Sequence, residues 1–344
     1  MRLTRLRPLR LLAILAVISM FAVTAFANVS DTVRKSFTVR PGGTLTIDAD
    51  FGSIDVRGSS TADQVTIQVK RSVRTNDRER AKDVLDELEM DFRQSGDDVV
   101  VTARYDRHDR GWGFLDFFDW SNDSGRGRLR LEYHVTVPSR YNLELRTSGG
   151  NIAVDDLEGR ADVRTSGGNL MIGRIDGPVT GHTSGGNIVV ARSIGKTEVR
   201  TSGGNITIEE SEGPVDARTS GGDIRIDSAR GTVYARSSGG DIEANGALGS
   251  IDASTSGGSV VARMSEQPTG NCRLATSGGS IAVHIAHEIG FDIDARASGG
   301  SIDSGVPVTI QGTYSKHRLE GRVNDGGPTL TVRTSGGGIR LKEY

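Results

Sequence analysis

Val199-Arg200-Thr201-Ser202-Gly203-Gly204-Asn205-Ile206-Thr207-Ile208 returns eighteen residues later as Ala217-Arg218-Thr219-Ser220-Gly221-Gly222-Asp223-Ile224-Arg225-Ile226. The triplet Ser-Gly-Gly starts at Ser148, Ser166, Ser184, Ser202, Ser220, Ser238 and Ser256, always 18 residues apart. It recurs at Ser277 and Ser298 after intervals of 21, and at Ser335 after 37. A fixed period of this length is the signature of a stacked repeat.

Numbered from each Ser, position +4 is apolar in every copy, from Ile152 to Ile339, and +6 usually is: Val154, Ile172, Val190, Ile208, Ile226. Positions +13 and +15 repeat the alternation, as in Ala161/Val163 and Val215/Ala217. Period-two alternation marks two short strands per repeat, each with one face inward. The glycines at +1, +2 and +11 fall between them and read as corners, where positive φ costs glycine least. Strand, corner, strand, corner, with no helix between, predicts an all-β, single-stranded parallel β-solenoid (a β-helix) of about 18 residues per coil, the coils stacking at about 4.8 Å. A left-handed hexapeptide helix would need an aliphatic at +16, where Arg164, His182, Arg200, Arg218 and Arg236 stand. Calcium-binding nonapeptides would need a Gly two residues after the Gly-Gly pair, and none is there.

The rest of the chain divides around these repeats. Residues 1–27 read as a signal peptide: Arg2, Arg5, Arg7 and Arg10, then an apolar run from Leu11 to Phe26, then Ala25-Phe26-Ala27 as the cleavage site. The alternative is an uncleaved anchor, for which the run is short. Residues 28–140 read as a β-rich N-terminal segment. Its Leu45/Ile47/Ala49 and Phe51–Val56 already follow the solenoid rhythm, and strands are expected at Val99–Ala103 and Leu129–Val137. Within it, 75–94 reads as one amphipathic helix, with Thr75 or Asn76 as cap, Ala81, Val84, Leu85, Leu88 and Phe92 on one face, and Gly96 as stop, covering the open end of the solenoid. Residues 141–344 read as solenoid, with an irregular coil at 305–334 and an uncapped final coil whose edge is free to pair.

Composition narrows the function. The formal charge of −2 gives no sign of nucleic-acid binding. No second stretch of membrane length follows the leader. Cys272 is the only cysteine and lies in phase with the core, so it reads as a buried hydrophobe, with an intermolecular disulfide as the alternative. His284 and His287 lack the companions a metal site needs. No phosphate loop, metal cluster or nucleophile–base pair is present in the pattern. A Ser repeated ten times beside no recurring His is not a nucleophile. The expectation is no enzyme, no cofactor and no metal.

Two features remain as candidate partner-binding sites. Position +16 stacks Arg164, Arg200, Arg218 and Arg236 with Arg146 and His182, beside a column two residues earlier of Glu144, Asp162, Thr180, Glu198, Asp216, Tyr234 and Asp252. This is either a self-neutralising solvated surface or a strip for an anionic polymer. The segment 106–128 gathers both tryptophans of the chain, as Trp112, Phe114, Phe117, Phe118 and Trp120, in a sequence with only 5% aromatics. It is either a plug on the first coil or a contact for a partner, glycan or membrane surface. Position +3 (Asn151, Asn169, Asn187, Asn205, Asp223, Asp241) and the Thr before each Ser are expected to bond along the stack.

The leader, the early Gly-Ser-Ile-x-Val segment (residues 52–56) and the tandem Thr-Ser-Gly-Gly-(Asn/Asp)-Ile-x-Ile repeats resemble the bacterial candidate-adhesin β-strand-repeat family (DUF4097) over about residues 36–344. That resemblance implies a β-solenoid and carries no catalytic residues. The expected function is an exported, non-enzymatic cell-envelope adhesion or scaffolding module, in the periplasm or at the cell surface, partnered by an envelope glycan or protein. The alternatives are a self-assembling structural protein associating through the solenoid ends, and a polysaccharide-binding or polysaccharide-active β-helix protein.

Overall fold

A computed structural model describes residues 28–75, 77–105 and 128–344. The leader and the aromatic segment with Trp112, Phe114, Phe117, Phe118 and Trp120 lie outside the described residues. The described chain is all-β apart from one helix, its strands gathered into two 15-stranded, mostly parallel sheets. One sheet carries the strands that begin at the repeated Ile, such as Ile188–Ser193 and Ile206–Ser211; we call it the Ile sheet. The other carries the strands that end near the repeated Arg, such as Thr197–Arg200 and Val215–Arg218; we call it the Arg sheet.

Register follows the repeat. Leu170 pairs with Ile188, Ile188 with Ile206, and Ile206 with Ile224. On the Arg sheet Ala161 pairs with Val179, Val179 with Thr197, and Thr197 with Val215. Inward residues of both sheets form one continuous core of Val, Ile, Leu and Ala. A further inward column at +9, not apparent from the strand pattern, lies at the corner between the sheets: Leu157, Ile175, Ser193, Ser211, Ala229, Ala247. Its two serines are buried with Thr197, and the three hydroxyls bond to one another, Ser193 to Ser211 at 3.1 Å. The rhythm does begin early: Thr44–Ala49 pairs in parallel with Asn142–Thr147, and Ile54–Val56 with Ile152–Val154.

The corners are held as expected, by Thr and Asn. Thr201 Oγ1 donates to Gly186 O on the preceding coil (2.9 Å) and accepts from Gly204 N (3.3 Å). The same pair of bonds recurs at Thr165, Thr183, Thr219, Ser237, Thr276 and Thr334. Asn169 N donates to Asn151 Oδ1, Asn187 N to Asn169 Oδ1, and the chain of bonds runs on to Ser259 N and Asp241 Oδ1. The glycines serve a different purpose from the one expected. Of the second glycines in the triplets only Gly150 has positive φ (133°). The others are glycine because the coils touch there: a Cβ on Gly204 would stand 2.0 Å from Gly186 O.

Three segments depart from the sequence reading. The helix is shorter than 75–94. It spans Arg78–Asp86, and Ala81 and Leu85 pack on Val73 and Leu129. Leu88, Met90 and Phe92 instead alternate along a strand, Leu88–Ser95, which pairs antiparallel with Asp98–Tyr105 across a turn where Gly96 has φ 62°. Leu88 and Phe92 suit a helix spacing and a strand spacing equally, and the hairpin turn decides between them.

Residues 305–334 are not one irregular coil. Val308–Ser315 and Arg318–Val323 form an antiparallel hairpin beside Phe291–Ala297 at the end of the Arg sheet. The final coil is not a free edge either. Thr329–Thr334 lies between Cys272–Thr276 and Phe291–Ala297, and Ile339–Glu343 lies between Ile281–Ile285 and Ile302–Ser304. The last coil in sequence is thus the penultimate coil in space, and Leu330, Val332, Ile339 and Leu341 are buried. Cys272, in the strand beside it, is 3% exposed, and burial pushes its thiol pKa up.

Candidate functional site

The outward face of the Arg sheet is built by the strand pleat. While Val199, Ala217 and Ala235 point inward, the residues on either side of each point out, and parallel in-register pairing lines them up. Arg146, Arg164, His182, Arg200, Arg218 and Arg236 therefore form one row, as the pairs Arg164–Arg146, Arg164–His182, His182–Arg200, Arg200–Arg218 and Arg218–Arg236 show. The four arginines singled out in sequence are together.

Most of this charge is already engaged. Arg164 grips Asp162 through two bonds (2.9 and 3.1 Å), and Arg218 grips Asp216 likewise (2.7 and 2.9 Å). Arg200 lies between Glu198 (2.7 Å) and Asp216 (3.7 Å), and Arg236 is 3.6 Å from Asp252. Arg146 makes no ion pair among the described residues, because its register neighbour Asp48 is bound by Arg104. Burial, then the neighbouring Arg164 and Arg200, hold the His182 pKa below its ordinary value, and this imidazole interrupts the row of guanidinium groups. Lys196 bonds Glu198, and with nearby Arg200 it holds that carboxyl down.

Two open clefts lie where the row meets the corner hydroxyls. The first, about 400 Å³, is lined by Arg146, Arg164, Thr147, Ser148 and Ser166 on one side and by Asp48, Asp50 and Arg104 on the other. Its carboxylates are bound by Arg104, and Asp50 also accepts from Tyr105 N at 3.0 Å. The second, about 490 Å³, lies at the other end of the row. There Ser254 and Ala275 replace the repeated arginine, and Arg333 and Arg296 resume the row beyond them. Among the described residues no group of three or more His, Cys, Asp or Glu side chains is arranged to hold a metal, and no helix is long and apolar enough to cross a membrane.

The chain that folds into this parallel two-sheet stack matches the model of one family over residues 43–342, described as Toastrack DUF4097. The chain belongs to the Toastrack DUF4097 family. The Toastrack chain matches no curated protein. It is similar to several solved structures. One is a candidate cell adhesion protein from Clostridium sporogenes: 10% identity, 91% of this chain and 100% of the other covered, TM-score 0.20. A second is a candidate adhesin from Parabacteroides merdae: 13% identity, 90% and 95% covered, TM-score 0.36. A third is a candidate lipid binding protein from Parabacteroides distasonis: 13% identity, 91% and 97% covered, TM-score 0.36. At these values the likeness assigns no activity to the Toastrack chain.

Sequence reasoning missed the second cleft. The break in the row at Ser254 is visible by counting, but nothing in the repeat places Arg333 before Arg296. That order comes from the inserted final coil, which brings residues 275 and 333 onto adjacent strands.

Proposed function

We propose that this chain is an exported, non-enzymatic β-solenoid that serves as an adhesion or scaffolding module of the cell envelope, in the periplasm or at the cell surface. The observation that carries the reading is the outward face of the Arg sheet. In the coils of Arg164, Arg200 and Arg218 it repeats one arrangement, a guanidinium braced by a carboxylate beside an exposed Ser. A repeated strip suits an extended partner such as a glycan or a protein strand, whereas catalysis needs one unique constellation. In this reading the coils are about 18 residues long, and the helix Arg78–Asp86 with its hairpin closes the N-terminal end of the stack.

The test is retention of the mature chain on its own envelope fraction. The wild type is expected to be retained. The variant Arg164→Gln/Arg200→Gln/Arg218→Gln/Arg236→Gln is expected to be released, with its circular dichroism unchanged. Equal retention of the two removes the strip from the reading, and no retention of either removes adhesion. Self-assembly through the C-terminal end is the second reading. It is favoured by the edge strand Val308–Ser315, which among the described residues pairs on one side only and exposes Ile310 (45%) and Tyr314 (68%). Filaments in negative stain would establish it.

A further inference from the structure

We propose that the cleft between Ser254, Ala275, Arg333 and Arg296 is a binding site for an oxyanion, a carboxylate or phosphate, carried on a sugar. Four consecutive strands of the Arg sheet form it, in the spatial order Ile251–Thr255, Cys272–Thr276, Thr329–Thr334, Phe291–Ala297. The repeat would set an arginine at residues 254 and 275. A serine and an alanine stand there instead, and the missing side chains leave a notch of about 490 Å³, within the range of small-ligand sites.

The notch has the chemistry of an anion and sugar site. Its lining holds Arg296 and Arg333 and no carboxylate. The acidic column is broken here too. Arg273 is the register partner of Asp252 where a carboxylate would continue the series, and it makes no ion pair among the described residues. Arg333 is fixed by Asp294, donating to its backbone O at 2.6 Å and to its carboxylate, so its guanidinium is pre-oriented. Arg296 is ion-paired with Asp294 at 3.5 Å and donates to Glu320 at 3.4 Å, both longer than the bonds that hold Arg333, so a ligand oxyanion competes for it on easier terms. The Oγ atoms of Ser277, Ser298 and Ser335 line the same notch and make no hydrogen bond within the described residues. Two guanidinium groups supply charge-assisted bonds to an oxyanion, and a row of exposed hydroxyls suits sugar hydroxyls. By contrast, the first cleft has Asp48 and Asp50 in its wall.

The proposal deepens the envelope reading by naming a grip, and it rests on that reading only for the source of the anion. The test uses the full mature chain titrated calorimetrically with two probes, inorganic phosphate and a short oligogalacturonide. Ala275→Arg restores the residue the repeat favours at this position. It adds a positive charge and fills the notch. The expected result is that the wild type binds at least one probe, that Ala275→Arg lowers the affinity at least tenfold despite its added charge, and that Arg296→Gln lowers it by roughly tenfold, the loss of one charge-assisted bond. The probe that binds identifies the anion class. Equal or tighter binding by Ala275→Arg overturns the proposal, since general attraction to a basic surface behaves that way; so does failure of the wild type to bind either probe. A chain that binds a probe but is not retained on the envelope fraction keeps the cleft and loses adhesion. A chain retained on the envelope that binds neither probe does the reverse.

Discussion

Substituting alanine for the two glycines of a single corner, one at a time, separates two explanations of why the motif is Gly-Gly. In Gly204→Ala the new Cβ stands 2.0 Å from Gly186 O, 2.4 Å from Gly186 C and 2.8 Å from Asn187 N. These are backbone atoms of the preceding coil and cannot swing aside. Reaching an ordinary contact of about 3.5 Å requires the coils, stacked at about 4.8 Å, to part locally by roughly 1.5 Å. Four of the bonds crossing that corner are Thr201 Oγ1 to Gly186 O (2.9 Å), Gly203 N to Ser184 O (3.0 Å), Asn205 N to Asn187 Oδ1 (2.8 Å) and Ile188 N to Asn205 O (2.9 Å). Such a shift takes all four past bonding distance, at about 1 kcal/mol each. A loss of about 3–5 kcal/mol is expected. In Gly203→Ala the Cβ meets Gly185 O at 3.4 Å and Ser184 O at 3.7 Å, and φ is not left-handed. That change is expected to fall within about 0.5 kcal/mol of zero, with a small gain from the stiffer unfolded chain. Denaturant unfolding followed by circular dichroism measures both, and hydrogen exchange at residues 184–206 localises the damage. Equal destabilisation by the two alanines, or a harmless Gly204→Ala, refutes the close-contact account.

Thr201→Val removes a hydroxyl that serves Gly186 O and Gly204 N at once. It is expected to cost about 2–4 kcal/mol, as both partners are left unsatisfied, while Thr201→Ser retains most of the stability in the same unfolding assay. The His182 pKa is held below the ordinary histidine value in the folded chain by burial and by Arg164 and Arg200. The unfolded chain therefore binds the proton more readily, so this contribution is complete above the ordinary histidine pKa and drains away as pH falls below it. Wild type is expected to lose more stability than His182→Gln between about pH 7 and about pH 5, and parallel pH profiles would refute the assignment. Cys272, buried and bonded by Ile251 N at 3.4 Å, is expected to react with a thiol reagent only at the rate of unfolding. Rapid stoichiometric labelling of the native chain would contradict that burial.

The repeat was legible because two periods coincide in it. Alternation by two set each strand, and recurrence by eighteen set its neighbour, so Ile206 beside Ile188 and Arg200 beside Arg218 followed from counting. The Thr and Asn bonds at the corners were legible for the same reason. What stayed hidden had no periodic signal. The +9 column sits on a corner, so Ser193 and Ser211 do not alternate with anything and their burial shows only when the sheets close. Gly204 looked like a left-handed turn, since sequence cannot separate that need from close approach of two backbones. Leu88 and Phe92 satisfied both helical and strand spacing. The order of residues 275, 333 and 296 across the second cleft depends on a non-local insertion that no local pattern encodes.

A parallel stack ordinarily grows at its open end, each new coil finding one exposed edge per sheet. The coil of Thr329–Thr334 and Ile339–Glu343 closes a gap instead. It bonds to strands on both sides in both sheets, and its partners lie 58 residues back on one side, as in Ile281 with Ile339, and 37 on the other, as in Ile302 with Ile339, rather than eighteen. The longer loop raises closure entropy by only about 1 kcal/mol, whereas the coil satisfies two edges per sheet on arrival. Before it docks, Leu274, Val283 and Ile293 face an empty slot. Residues 272–344 are therefore expected to gain their order together, after the coils upstream. The reverse is expected too: residues 272–344 melt as a block, while the simpler coils upstream open one at a time.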